Sequence, residues 1–342
     1  MTRKVTIALD VMGGDYGPAA VVPAALATLE RDESVSFALV GLPEVLEQAR
    51  RDSKDSYGSR LKYVVATEVV EMDELPADAL RHKKDSSLRV IIEQVKTRAA
   101  DACVSSGNTG ALMATARYVL KTLPGIDRPA IISAVPTLKG RSFMLDLGAN
   151  VGCTAEHLLQ FALMGSVVAE DILDIERASV GLLNIGQEAI KGNEVVREAG
   201  ELLSRSGLNY IGFIEGDAVF TGKANVVVSD GFVGNVALKT MEGVASLITS
   251  YLRQEFTKSG LRKLQGLVAS PALDALRHRL DARRYNGASL VGLNGVVIKS
   301  HGGADRLAFE TAINTAIVEA RKGVPVQIGK LIEDQAPECI RA

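Results

Sequence analysis

The chain has 342 residues, 47% of them hydrophobic, and its 39 Lys and Arg nearly balance its 41 Asp and Glu, for a formal net charge of −2. A chain of this composition can bury a large core, which excludes a disordered or collagen-like protein. The balanced charge, with no stretch that interleaves aromatic and basic residues, argues against nucleic acid as a partner.

Short β-branched runs alternate with longer helical patterns along the whole chain. They predict strands at 5–9, 35–40, 63–66, 102–105, 130–135, 142–147, 179–183, 210–213, 225–229 and 296–299. Helical patterns lie near 18–31, 43–51, 86–99, 109–122, 155–170, 187–206, 232–258, 272–283 and 303–322. This alternation predicts a single α/β domain over residues 1–342, a three-layer α/β/α arrangement with a mostly parallel sheet.

The cysteines Cys103, Cys153 and Cys339 are odd in number and far apart, which indicates a reducing compartment and argues against a thiolate metal site. Cys103 lies inside an apolar run, so we interpret it as a core residue and not a nucleophile. No leader segment and no run of about 18 apolar residues is found, so we expect a soluble, cytoplasmic protein without a spanning helix.

More than half of the 32 glycines fall in eight short segments after or beside predicted strands. These segments are 10–17, 105–110, 146–152, 181–193, 215–217, 229–235, 285–295 and 301–303. Ligands of open parallel sheets bind at the carboxyl ends of the strands, so we expect these turns to meet at one cleft.

The chemistry of these turns points to an anionic ligand. Glycine allows the backbone to approach a ligand, and the helix that follows offers unpaired N–H groups. Asn, which donates hydrogen bonds without carrying charge, is frequent on them. Neither a Gly-x-x-x-x-Gly-Lys-Ser/Thr loop nor a Gly-x-Ser-x-Gly elbow occurs. Taken singly, each turn also fits an ordinary strand-to-helix connection.

Read together and in order, the segments resemble the phosphate acyltransferases of the PlsX family over essentially the whole chain. The resemblance is carried by 8–15 (ALDVMGGD), 83–87 (KKDSS), 105–112 (SSGNTGAL), 146–151 (DLGANV), 181–188 (GLLNIGQE), 191–193 (KGN), 230–239 (DGFVGNVALK) and 301–302 (HG). Two residues depart from that family's usual pattern: Ser106 stands where Ala is usual, and Asn286 where a second Gly is common.

The resemblance implies an enzyme that makes acyl-phosphate from an acyl carrier protein thioester and inorganic phosphate, at the first step of bacterial phospholipid synthesis. It implies a homodimer without a nicotinamide or other cofactor and without a metal. The implied fold is similar to that of the isocitrate and isopropylmalate dehydrogenases and of the phosphotransacetylases. A downstream glycerol-3-phosphate acyltransferase is a further partner that it suggests.

Phosphate is already an anionic nucleophile and a thioester is already activated, so this reaction needs anion binding, positioning and donors aimed at the oxyanion. We assign Lys191 and Asn235 as catalytic, Lys191 to offset charge and Asn235 to donate to the oxyanion or phosphate, and the resemblance favours both. The predicted phosphate and acyl-phosphate ligands are Ser106, Gly107, Asn108, Thr109, Gly110, Asn150, Asn184, Asn193, Lys239 and His301. The residues predicted to line the site are Asp10, Gly13, Gly14, Asp15, Asp146 and Asp230.

Residues 253–284 carry eight Lys or Arg against three Asp or Glu, and an apolar stripe at helical spacing precedes them. We expect a basic amphipathic helical insertion at about 242–284. In it, Arg262, Lys263, Leu264 and Leu267 would contact the acidic carrier protein or the inner face of the membrane, peripherally. The alternative is a dimer-interface or core helix with a solvated basic face.

Two other functions stay open. A metal- and nicotinamide-dependent dehydrogenase of the same general fold would need an Asp-rich metal site and a nucleotide loop, and only the Asp residues can be pointed to. A non-enzymatic scaffold that holds acyl carrier protein at the membrane is the other, and the density of Gly and Asn at strand ends weighs against it.

Overall fold

The computed structural model describes residues 3–54 and 56–339, and within them eleven strands form one sheet. The strands are β1 (Val5–Asp10), β2 (Val35–Gly41), β3 (Leu61–Val65), β4 (Ala102–Ser105), β5 (Ala130–Thr137), β6 (Gly140–Leu145), β7 (Ser179–Leu183), β8 (Asn209–Ile214), β9 (Val226–Val228), β10 (Ala288–Val291) and β11 (Val296–Lys299). Their order across the sheet is β3-β2-β1-β4-β11-β10-β5-β6-β9-β7-β8.

The direction of the strands reverses across the middle of the sheet. β3, β2, β1, β4 and β11 are parallel to one another. β10 pairs antiparallel with both β11 and β5, and β5 pairs antiparallel with β6. β6, β9, β7 and β8 are again mutually parallel, so they run opposite to the first group. The sheet is therefore mostly parallel within each half, but the carboxyl ends of the two halves lie at opposite edges.

Helices cover both faces of this sheet. They are α1 (Pro18–Arg31), α2 (Pro43–Ser53), α3 (Pro76–His82), α4 (Ser87–Lys96), α5 (Thr109–Leu120), α6 (Ala155–Leu173), α7 (Glu194–Arg205), α8 (Gly231–Thr257), α9 (Gly260–Val268), α10 (Ser270–Leu280), α11 (Arg306–Lys322) and α12 (Val324–Cys339). One layer contains α1, α2, α11, α6, α7 and α12, and the other contains α3, α4, α5 and the first part of α8.

The alternation of buried side chains along the strands explains these layers. In β1, Ile7 and Leu9 pack under α1 and α11, whereas Ala8 between them packs under α4 and α5. Successive side chains of a strand point to opposite faces, and continuous apolar runs therefore bury the sheet on both sides. The predicted three-layer α/β/α architecture is confirmed.

Several elements differ from the sequence-based prediction. β10, α3, α9 and α12 were not predicted, and each is short or interrupted by polar residues. The helix predicted from 187 begins at Glu194, because Gly192 adopts φ of +90° and the Asn193 side chain accepts from the Val196 N–H at 2.9 Å. The chain before Glu194 is therefore a turn, capped as helices commonly are.

The second half of α8, with α9 and α10, extends from the body. Phe256 of α8 packs on Gly266 of α9, but the apolar side chains Leu261, Leu264 and Leu267 are 61% to 74% exposed. This protrusion, residues 242–284, is helical over most of its length, although α8 starts earlier, at Gly231, against the sheet. In the described part of the chain, no helix combines the length and the apolar character needed to cross a membrane.

Candidate functional site

The glycine turns form two clusters at the two edges of the sheet. The first turn cluster follows β1, β4 and β11 and comprises residues 10–17, 105–110 and 299–303. Asp10 is buried there and accepts from the Ser105 hydroxyl at 2.7 Å and the Met12 N–H at 3.1 Å. The Ser106 hydroxyl donates to the Gly13 carbonyl at 2.7 Å. These bonds hold the turns of two neighbouring strands together.

The third turn of this cluster joins through the backbone. The Asp15 N–H donates to the Gly302 carbonyl at 2.9 Å. His301 is exposed, and its ring Nδ1 accepts from the Gly303 N–H at 3.1 Å. The His301 N–H donates to the Asn286 side chain at 2.9 Å, so Asn286, in the segment just before β10, positions this turn.

The amide of Asn108 is used entirely inside the protein. Its Oδ1 accepts from the Ala111 N–H at 3.0 Å and caps α5, and its Nδ2 donates to the carbonyls of Met72 at 3.0 Å and Glu74 at 2.8 Å. Asn108 was predicted to bind phosphate through its side chain. With the amide so engaged, the contribution left to it is to hold the amino end of α5 in place.

Lys299, at the end of β11, is a residue that the sequence reasoning missed. It is only 8% exposed, and its Nζ donates to the Ser106 carbonyl at 3.3 Å and to the Ser300 carbonyl. Burial lowers its pKa to about 8, while the charges of Asp10 and Asp15 oppose this effect. The signal available in the sequence is a lysine that ends an otherwise apolar strand two residues before His301-Gly302.

The second turn cluster follows β6, β7 and β9 and comprises residues 146–152, 184–193 and 229–235. Asp146 is buried and accepts from the N–H groups of Ile131 at 2.9 Å, Ala149 at 3.1 Å and Asn150 at 2.7 Å, and from the Asn150 side chain at 2.9 Å. The Asn150 amide also donates to the Pro129 carbonyl at 2.8 Å. Asp146 and Asn150 therefore fix this turn from within.

The turn after β7 is organised in the same way. The Asn184 amide donates to the Lys191 carbonyl at 3.1 Å and accepts from the Ile185 N–H at 2.9 Å. Asn193 caps α7. The side chain of Lys191 is exposed and makes no hydrogen bond with another described residue.

α8 connects the two clusters. Asp230 caps it by accepting from the N–H groups of Phe232 and Val233, and Asn235, one turn later, is exposed. A Cβ placed on Gly148 would lie 3.5 Å from the Asn235 Cβ, so Asn235 lies over the β6 turn. Further along α8, the charge of Lys239 helps to lower the pKa of Lys299 in the first turn cluster.

The predicted site residues are therefore divided. The first turn cluster holds Asp10, Gly13, Gly14, Asp15, Ser106, Gly107, Asn108, Thr109, Gly110 and His301. The second holds Asp146, Asn150, Asn184, Lys191, Asn193, Asp230 and Asn235, with Lys239 on α8 between them. The turns do not all follow strand ends at the same edge of the sheet, because the strands of the two halves run in opposite directions. α8 extends from the second turn cluster toward the first, and the convergence of all turns on one cleft stays a prediction. Arg262, Lys263, Leu264 and Leu267 lie apart from both clusters, on α9.

Cys103 lies in the core, as expected from the sequence. Its side chain is fully buried, and burial raises the pKa of its thiol. Cys153 is half-buried, with its pKa raised to about 11 by burial. Thiolates are the nucleophilic form of cysteine, so neither side chain is suited to attack a substrate. Over residues 3–54 and 56–339, no group of three or more His, Cys, Asp or Glu side chains is placed to hold a metal ion.

Comparisons with known proteins place this fold and these turns in a family. A family model described as "Fatty acid synthesis protein" matches residues 5–327. A phosphate acyltransferase from Alkalilimnicola ehrlichii is 60% identical over 333 residues, which cover 97% of this chain and 97% of that protein.

Two solved structures share the fold. A phosphotransacetylase from Streptococcus pyogenes superposes with a TM-score of 0.62 at 19% identity, covering 93% of this chain and 94% of that one. A 4-hydroxythreonine-4-phosphate dehydrogenase from Klebsiella pneumoniae superposes with a TM-score of 0.50 at 14% identity, covering 94% and 99%. At these identities the likeness concerns the architecture, which transacylases and a dehydrogenase have in common.

Proposed function

The chain belongs to the phosphate acyltransferase family, and from that premise we propose that it transfers an acyl group from an acyl carrier protein thioester to inorganic phosphate. The acyl-phosphate product would enter membrane lipid synthesis. Fatty acid synthesis is the process for which the matching family is described.

The observation that carries the proposal is the position of Lys191 and Asn235. Lys191 lies in the turn after β7, and Asn235 lies near the start of α8, which follows β9; β7 and β9 are adjacent parallel strands whose carboxyl ends point the same way. The neighbouring polar side chains of Asp146, Asn150 and Asn184 are used in hydrogen bonds within the protein. Lys191 and Asn235 are exposed and make no side-chain hydrogen bond with another described residue. A substrate at this edge would meet a cation and an amide donor on a rigid frame.

The reaction that fits this pair needs no covalent intermediate. A phosphate oxygen attacks the carbonyl carbon of the thioester, a C–O bond forms, the C–S bond breaks, and the thiolate takes a proton from solvent. The Lys191 ammonium would offset the charge of phosphate. The side-chain amide N–H of Asn235 would donate to the thioester carbonyl oxygen as it becomes an oxyanion.

The test is chemical trapping of the product. Purified protein, acyl carrier protein thioester and phosphate should yield an acyl-phosphate that hydroxylamine captures as a hydroxamate, without metal or nicotinamide. Lys191→Ala and Asn235→Ala should each lower the rate by roughly 100-fold or more, the range seen when an oxyanion donor is removed.

Lys223→Ala is the matched control. Lys223 is an exposed lysine just before β9, at the opposite end of that strand from Asn235, so its removal should leave the rate unchanged. Failure of the wild-type protein to form hydroxamate would refute the proposed activity. Near wild-type rates in both site variants at saturating phosphate would refute the roles of Lys191 and Asn235.

We also propose that the protrusion meets the carrier protein or the membrane surface. Arg262 and Lys263 are exposed beside Leu264 and Leu267, so basic and apolar groups occur together on α9. An acidic protein or anionic lipid headgroups would be attracted by the charge, and a membrane would in addition take up the leucines.

Flotation with anionic vesicles separates these partners. Binding that weakens with added salt and with Leu264→Glu supports membrane contact through α9. Leu138→Glu is the control, because Leu138 is 89% exposed and lies in the β5–β6 hairpin, outside the protrusion. If wild-type protein does not float, but Lys263→Glu raises the KM for the acyl carrier protein substrate, the surface serves the carrier instead.

We propose, finally, that the protein is a homodimer that uses α8. Val244, Leu247, Ile248 and Tyr251 are 44% to 59% exposed on this helix, more apolar surface than one helix of a soluble monomer usually leaves open. Light scattering should give twice the chain mass of 36.3 kDa, and Leu247→Glu should convert the dimer to a monomer.

A further inference from the structure

Lys299 is the buried cation closest to the glycine turn before α5. β11 pairs with β4 so that Lys299 lies opposite Ser105, and the Nζ of Lys299 reaches the carbonyl of Ser106. A lysine ammonium has three N–H donors, and two of them are accounted for by the carbonyls of Ser106 and Ser300.

No carboxylate lies within ion-pair distance of this ammonium among the described residues. The charged and titratable groups around it are Asp10 from β1, Asp15 from the turn after it, Lys239 from α8 and His301 from its own turn. One oxygen of Asp10 accepts from Ser105 and the other from the Met12 N–H. A cation buried without a direct counterion is costly, so this position favours an anion.

The amino end of α5 also offers groups that can bind an anion. Asn108 caps the Ala111 N–H, whereas the N–H groups of Thr109 and Gly110 have no acceptor in the described part of the protein. Thr109 and Gly110 are exposed residues, and they follow Ser106, whose carbonyl Lys299 contacts, by three and four positions in the same turn. The unpaired N–H groups of a helix start attract anions.

We propose that Lys299 is a catalytic residue that binds the attacking phosphate, together with the N–H groups of Thr109 and Gly110. This inference rests on the proposed acyl transfer to phosphate and adds a residue to it. Phosphate is the small anion of that reaction, and Lys299 binds it at the first turn cluster. α8 connects this cluster to Asn235, because Lys239 of the same helix lies near enough for its charge to act on Lys299. The ammonium offsets negative charge and keeps its proton while the C–O bond forms and the C–S bond breaks.

A pH profile gives the sharpest test, because only the protonated amine attracts phosphate. Because burial lowers the pKa of Lys299 to about 8, kcat/KM for phosphate should fall as the pH rises through about 8 in the wild-type protein. Lys299→Met should raise the KM for phosphate by about 10- to 100-fold at pH 7, the range for one charged hydrogen bond, and should flatten the profile.

Lys299→Arg is the second variant, and it keeps the test valid if Lys299→Met does not fold. Arginine stays charged throughout this range, so this variant should keep phosphate binding and lose the fall above pH 8. Phosphate binding without thioester, followed by 31P line broadening, should be lost in Lys299→Met and retained in Lys223→Met, an exposed control.

These outcomes separate the two proposals. If wild-type protein binds phosphate through Lys299 but forms no hydroxamate, the proposed function fails and the phosphate site stands. If hydroxamate forms, and Lys299→Met keeps the wild-type KM for phosphate or Lys299→Arg keeps the fall above pH 8, Lys299 does not bind the nucleophile.

Discussion

The two turn clusters each contain a buried aspartate at the end of a strand, and the partners of these aspartates differ. Asp146 accepts four N–H hydrogen bonds, three from backbone and one from Asn150. Asp10 accepts from the Ser105 hydroxyl and the Met12 N–H, the Ser87 hydroxyl and the Gly13 N–H also stabilise its charge, and the charge of Lys299 is close by. Burial raises the pKa of both carboxyls, and the hydrogen bonds oppose that rise.

Because of this difference, the buried aspartate of the second turn cluster has a structural role, whereas that of the first acts through its charge. In the second turn cluster, neutral donors satisfy the carboxylate, so the turn is held rigidly and presents Lys191 and Asn235 without involving their side chains. In the first, hydroxyl and backbone donors also face the carboxylate, but its charge acts in addition on the buried ammonium of Lys299. Substitutions of Asp146 and of the groups that bind it should therefore cost mainly stability, and those of Asp10 and Lys299 should mainly change the response to pH and phosphate.

The largest effect is expected for Gly234→Ala in α8. A Cβ on Gly234 would overlap the carbonyl oxygen of Asp146 and would lie 2.7 Å from the Ser229 hydroxyl oxygen, so the helix would have to leave the turn. We expect a loss of more than about 3 kcal/mol in the free energy of unfolding, measured by urea denaturation.

Gly243→Ala is the control in the same helix. No other atom lies within 4 Å of its added Cβ, and its φ is ordinary for a helix. This variant should gain roughly 0.5–1 kcal/mol from helix propensity. Equal stabilities of the two alanine variants would mean that α8 does not pack on the Asp146 turn.

Asp146→Ala comes next. It leaves three backbone N–H groups and the Asn150 amide without their acceptor, at a cost of about 3–5 kcal/mol in the free energy of unfolding. Asp73→Ala, an exposed aspartate, should change it by less than about 0.5 kcal/mol. A small loss in Asp146→Ala, with the rate of acyl transfer abolished, would show that Asp146 acts in the chemistry and not in the frame.

The sequence predicted much of the fold because apolar runs and helical periodicity are local. The short strand β10 was missed, since four residues between Gly287 and Gly292 carry little pattern. The reversal of strand direction was missed as well. The periodicity of apolar residues predicts which side chains are buried, but it does not indicate whether a strand runs parallel or antiparallel to its neighbours.

The sequence predicts which turns form the candidate site, but it does not predict which of their side chains bind within the protein and which stay exposed. Asn108 and Asn235 both follow a glycine in a strand-to-helix turn, and the sequence treats them alike. Only the partners distinguish them, because Asn108 donates to carbonyls of the segment before α3, while Asn235 has no such neighbour. Lys299 was overlooked since a lysine that ends a strand usually reaches solvent.

A third buried carboxylate, outside both clusters, sharpens the comparison. Glu319 on α11 accepts only from the Ser289 hydroxyl, at 2.9 Å, and burial raises its pKa to about 8. The folded protein then holds a proton that the unfolded chain releases above pH 4.5, so the stabilisation that this proton gives is lost as the pH rises toward 8.

Glu319→Gln mimics the protonated acid. It should leave stability near pH 4.5 unchanged and raise it at pH 8 by roughly 4 kcal/mol, measured as the difference in the free energy of unfolding from wild type. A difference that is independent of pH would show that Glu319 is ionised in the folded protein at neutral pH.

The smallest effect is expected for Asp10→Asn, and it tests the electrostatic character of the first turn cluster. The carboxylate of Asp10 raises the pKa of Lys299, so its removal should lower that pKa. The fall of kcat/KM for phosphate should then begin roughly half a pH unit to one unit lower than in wild type. Asp15→Asn should shift it less, because Asp15 is exposed and its charge is screened by solvent. An unchanged profile in Asp10→Asn, with Lys299→Met flat, would mean that burial alone sets the pKa of Lys299, and the two aspartates would then differ only in their hydrogen bonds.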